Sequence, residues 1–140
     1  MEIEEEVEGI IKLMESELES LREVENPSLE EVFDLGSHEG SLDAAEWVKR
    51  AIHGKMDYQA FVNKAHKMFN QLIEEQRKLT NFRGSDEGWR DYAANTAWTP
   101  REYRKIADIS GQIYVILDLN RQFDLEIDPE LIKKSEFYMY

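Results

Sequence analysis

The chain has no cysteine, which removes disulfides, thiolate zinc sites and cysteine nucleophiles at once. Proline is rare, at three residues in 140, and glycine numbers only seven, so no Pro/Gly-rich linker or second domain is indicated. The longest apolar run, Ile113 to Leu117, is too short to span a bilayer, and the acidic opening Met-Glu-Ile-Glu-Glu-Glu has no basic, then apolar, leader pattern. These absences lead us to expect a cytoplasmic protein without a membrane segment. Bases are outnumbered by acids, 17 to 30, for a net charge of −13. Such a balance argues against a strong nucleic-acid footprint. A phosphate-binding Gly-rich loop, an HExxH pair and a nucleophile elbow are all missing.

What is present is enough for one core. Apolar residues make up 41% of the chain, including three Trp, six Tyr and six Phe. Charge is unevenly spread. Residues 1–34 carry thirteen acids against Lys12 and Arg22, residues 49–105 carry twelve bases against seven acids, and residues 106–140 carry seven acids against three bases.

Hydrophobic periodicity is helical almost throughout. Ile3, Val7, Ile10, Ile11, Met14, Leu18 and Leu21 fall in one arc, opposite Glu4, Glu8, Glu15, Glu19 and Glu23, which predicts an amphipathic helix of about six turns. Pro27 closes it, and Ser28 with Glu31 has capping-box spacing for a short helix through Leu35, stopped by Gly36. Beyond a loop, Ser41 is placed to cap a helix from Leu42 to His53, with Gly54 in a left-handed C′ position. Asp57 precedes a stripe of Phe61, Val62, Ala65, Met68, Phe69, Leu72, Ile73 and Leu79. Trp89, Tyr92, Ala93 and Ala97 follow at helical spacing. Thr99, Pro100 and Glu102 then start a helix to about Gln122, whose wide stripe includes Tyr103, Ile106, Ile109, Ile113, Tyr114, Ile116 and Leu117. Only 123–127 reads as extended, and Pro129 opens a last short helix. The expected fold is all-α: a single-domain bundle of five to seven helices, with an acidic helix over 1–25, a main bundle over 41–140 centred on 58–79 and 100–122, and a short extended segment near 123–127.

Candidate sites are few. His38, Glu39, Asp43 and Glu46, with His53 beyond them, would form a His/carboxylate metal site if a loop folded His38 and Glu39 over the helix carrying the other two. Ordinary surface pairing of Glu46 with Lys49 and Arg50 explains the same residues without a metal. His66, at the edge of its stripe, reads as a structural histidine. Asp124, Glu126 and Asp128 match the opening of a calcium loop, but Pro129 stands where that loop needs glycine and Ser135 where it needs glutamate. Arg83, Arg90, Arg101, Arg104 and Lys105 interleave with Trp89, Tyr92, Trp98 and Tyr103 in the manner of a weak single-stranded nucleic-acid binder, yet Asp86, Glu87, Asp91 and Glu102 lie among them. The apolar finish Phe137, Tyr138, Met139 and Tyr140 is a candidate subunit contact.

The acidic first helix is the most informative feature. Glu4, Glu8, Glu15, Glu19 and Glu23 form a surface suited to a protein partner with a basic face. The near-heptad stripe beneath them also allows pairing with its own copy as a homodimer. The expectation is a non-catalytic protein–protein interaction module, adaptor- or inhibitor-like, with no cofactor. The metal-dependent enzyme and the nucleic-acid binder stand as its rivals.

Overall fold

The computed structural model describes residues 2–80 and 100–132. They form an all-α bundle of four long helices, α1 (Glu2–Arg22), α2 (Leu29–His53), α3 (Tyr58–Thr80) and α4 (Pro100–Phe123), followed by a helical turn at 129–132. The segments around Trp89 and Trp98 and the end from Phe137 to Tyr140 lie outside the described residues.

The first helix buries the stripe its periodicity predicts. Val7, Ile11 and Leu18 are buried and Ile3 and Ile10 pack on the core. Each fully buried side chain of this size contributes about 1.5–3 kcal/mol relative to exposure. The stripe is therefore occupied within the chain, by contact with α2, and is not available for pairing with a second first helix.

Helix α2 departs furthest from what the sequence predicts. Gly36 does not stop a helix and Ser41 does not start one, because α2 runs unbroken for 25 residues. Its N-terminus is the expected one: the Ser28 N–H donates to Glu31 Oε1 at 2.9 Å and the Glu31 N–H to Ser28 Oγ at 3.1 Å. The Ser28 N–H foremost, and the Ser28 side chain after it, hold the Glu31 carboxyl below its ordinary 4.5. Gly36 and Gly40, one turn apart, let α4 approach so closely that a Cβ on Gly40 would overlap the backbone of Asp108; Gly111 on α4 meets the backbone of Ser37 in the same way. Two interior glycines cost the isolated helix about 1 kcal/mol each. The close crossing of α2 and α4 offsets this by burying Ala44, Ala45 and Val48 on one side and Ile106, Ala107 and Ile113 on the other. Ser41, expected as a cap, instead donates its buried hydroxyl to the Gly111 carbonyl at 3.1 Å.

At the far end of α2 the left-handed residue is Lys55, with φ 56°, and Gly54 has an ordinary φ of −77°. The Met56 N–H reaches Ala51 O and the Lys55 N–H reaches Ile52 O, the paired bonds of a Schellman stop shifted one residue from its expected place. Asp57 caps α3 through Oδ2 and the Ala60 N–H, at 3.2 Å.

Helix α4 is central, buried on most of its circumference from Tyr103 to Leu119. Its most extensive partner is α2 and not α3. Tyr114, placed in the buried stripe by periodicity, is 46% exposed. Between α3 and α4, Gln76 donates to Ser110 Oγ at 2.9 Å, both residues buried. Residues 124–128 form no strand: Asp124 and Glu126 both have positive φ, at 51° and 60°, which breaks strand geometry, while Leu125 and Ile127 cover the core. No described helix is long and apolar enough to cross a membrane.

Candidate functional site

The glutamates of α1 divide into two groups once α1 lies antiparallel on α2. Glu4 and Glu8 turn inward to basic residues of α2: Glu4 Oε1 meets His53 Nε2 at 3.4 Å and Glu8 Oε1 meets Lys49 Nζ at 3.0 Å. Lys49 thus reaches across to α1. Near the other end of the pair, Glu39 of α2 accepts from Arg104 of α4 and lies 3.9 Å from Arg22 of α1. Glu15, Glu19 and Glu23 are exposed, as are Glu5 and Glu17, and none of the five has an ion-pair partner among the described residues. Partly exposed pairs such as Glu8–Lys49 are worth about 0–1 kcal/mol each. The buried stripe, and not these pairs, holds α1 in place.

Glu15, Glu19 and Glu23 border a shallow groove between α1 and α2, together with Lys12, Arg22, Leu42 and Glu46. A second cleft, between α2 and the start of α4, is lined by Pro27, Val32, Leu35, Glu39, Arg101, Arg104, Lys105 and Asp108. Burial pushes the Asp108 carboxyl above its ordinary 3.8; a hydrogen bond from Gln112 at 2.7 Å opposes this, Asp43 and Glu39 reinforce it, and Arg104 acts against it.

The proposed metal ligands share one continuous helix. With no loop at 36–41, His38 and Glu39 cannot fold back over Asp43 and Glu46, and His38 stands eight residues, about 12 Å of helix rise, from Glu46. Among the described residues no group of three or more His, Asp or Glu converges to hold a metal ion. The acids of the 124–130 stretch cap their own backbone: Asp124 Oδ1 accepts from the Glu126 N–H at 3.2 Å and Asp128 Oδ1 from the Glu130 N–H at 2.9 Å. His66 donates from Nε2 to the Leu125 carbonyl at 2.6 Å, tying this stretch to α3.

Of the Arg/aromatic segment, Tyr103 is buried against the Phe33 ring at 5.4 Å and Arg104 is engaged by Glu39, leaving Arg101 and Lys105 exposed. Arg83, Arg90, Trp89, Tyr92 and Trp98 lie outside the described residues, as do Phe137, Tyr138 and Tyr140. The basic cleft at the start of α4 is the feature sequence reasoning missed. The spacing of Arg101, Arg104 and Lys105 was its signal, but its apolar floor comes from Val32 and Leu35, some 70 residues away.

Fold and surface together define an all-α bundle with an exposed acidic helix and a small basic cleft. No protein-family model matches the chain, and neither curated proteins nor solved structures give a match.

Proposed function

We propose that this chain is a non-catalytic protein–protein interaction module whose docking surface is the outward acidic side of α1, received by a partner with a basic face. The observation that carries this reading is the separation of roles along α1. One side is anchored by Val7, Ile11 and Leu18, while Glu5, Glu15, Glu17, Glu19 and Glu23 stand exposed without ion-pair partners among the described residues. Closely spaced like charges oppose one another unless a counter-charge meets them, and a basic partner gains association rate and specificity from them. The bundle itself needs no cofactor for this role.

The test is affinity capture from a cell lysate, with mass spectrometry, using the whole chain and a Glu15→Lys/Glu19→Lys/Glu23→Lys form. Glu8 is left intact because reversing it would also break its bond to Lys49. Exposed substitutions of this kind change stability by about 0.5 kcal/mol or less each, so the reversed form stays folded. A basic partner held only by the unaltered chain is the expected result. Identical partners on both forms would sink the reading.

A further inference from the structure

The acidic groove and the basic cleft lie next to each other on one side of the molecule, with Glu39 between them. Leu35, Glu39, Leu42 and Glu46 recur at three- and four-residue spacing, so they share one face of α2. On one side of Glu39, α1 brings Glu15, Glu19 and Glu23 to that face. On the other, α4 brings Arg101 and Lys105 over an apolar floor of Pro27, Val32 and Leu35. Arg22 and Arg104 both point their guanidinium groups at Glu39 and mark the boundary. At the turn from α1 to α2, Val24 and Leu29 are 37% and 48% exposed. Among the described residues neither Arg101 nor Lys105 has an ion-pair partner.

A surface with an acidic and a basic patch on either side of one point is complementary to itself after a half turn about that point. We infer that this face pairs with a second copy of the chain about a twofold axis near Glu39, the acidic groove of each protomer lying over the basic cleft of the other. The inference rests on the reading of α1 as a charge-docking surface and identifies the basic face as one the chain itself carries. It is an isologous contact: every acid-on-base pairing occurs twice, around a centre where exposed Val24 and Leu29 and the apolar cleft floor are covered. Each copy has a net charge of −13, so long-range repulsion opposes the approach. At ~0.15 M ionic strength the screening length is about 8 Å, which damps that repulsion while contacting pairs persist.

The experiment is sedimentation velocity at that ionic strength on the whole chain, on Glu15→Lys/Glu19→Lys, and on Arg101→Glu/Lys105→Glu. The whole chain should sediment as a dimer. Each variant alone should sediment as a monomer, because like charges then meet at both contacts. An equal mixture of the two variants should return the dimer, since every contact again joins opposite charges; a variant that had merely misfolded would not be rescued. A monomeric whole chain, variants that dimerise as the whole chain does, or a mixture that stays monomeric would each overturn the pairing. If the chain is monomeric but the glutamate reversals still release a foreign basic protein, the reading of α1 stands and only the twofold pairing falls.

Discussion

Asp108 sits where α2 and α4 cross, and its position makes it a reporter on burial at that seam. Its backbone faces Gly40, its carboxylate accepts from Gln112, and burial raises its pKa above 3.8. A carboxyl whose folded pKa lies above its unfolded value favours the folded state below the unfolded value and loses that contribution as pH rises through the folded one. Charged Asp108 is thus a cost at neutral pH. Asp108→Asn keeps the shape and an oxygen to accept from Gln112, so it should raise the melting temperature at pH 7. The gain should shrink to nothing as pH falls below about 4. Thermal unfolding followed by circular dichroism across that range checks both the sign and its loss. The sequence offered no signal for this residue, because the burial that foremost raises its pKa arises where α4 packs on α2, with Asp43 and Glu39 of α2 adding to it.

At the scale of the helix, glycine has two meanings that one sequence cannot separate. Gly36 and Gly40 have the low helix propensity of a stop signal, and read that way they divide α2 in two. On α4 the small residues Ala107 and Gly111 meet Gly36 and Ser37, and nothing along the chain indicates that these two helices come together. The contact joins residues about 70 positions apart, with Ser41 bonded to Gly111 as its clearest mark. Two alanine substitutions separate the roles of glycine by sign. Gly40→Ala gains about 1 kcal/mol of helix propensity but forces a methyl group into the backbone of Asp108, an overpacking cost of about 1–3 kcal/mol or more, so it should destabilise. Gly9→Ala on α1, where nothing lies within 4 Å of the added carbon, should stabilise by about 0.5–1 kcal/mol. Denaturant midpoints at unchanged slope measure both. Elsewhere local chemistry was sufficient: the Ser28–Glu31 box, the Asp57 cap and Pro100 at the first position of α4 all lie where their sequence signals put them.

For the whole molecule the dominant quantity is charge. The chain carries −13, with thirteen of its acids in the first 34 residues, and of the two inward contacts of α1 only Glu8–Lys49 sets a counted cation against one of them. Self-repulsion of this size works against the compact state and is screened by salt. Raising ionic strength from about 0.01 M to about 0.15 M should therefore raise the melting temperature, even though it weakens the exposed ion pairs, each worth at most about 1 kcal/mol. A fall would mean that those pairs, and not the net charge, control the electrostatics of the fold.

The sequence by itself determined the all-α class, most helix boundaries and which side of α1 is acidic, because periodicity, caps and charge are properties of neighbours within a turn or two. Only the tertiary structure decided that α2 is one helix, that its main partner is α4, that Glu4 and Glu8 turn inward while Glu15, Glu19 and Glu23 do not, and that Arg101 and Lys105 stand over Val32 and Leu35. Each of these depends on which surfaces meet across tens of residues. That is settled by the joint packing of small and large side chains, for which no single stretch of the chain carries the information.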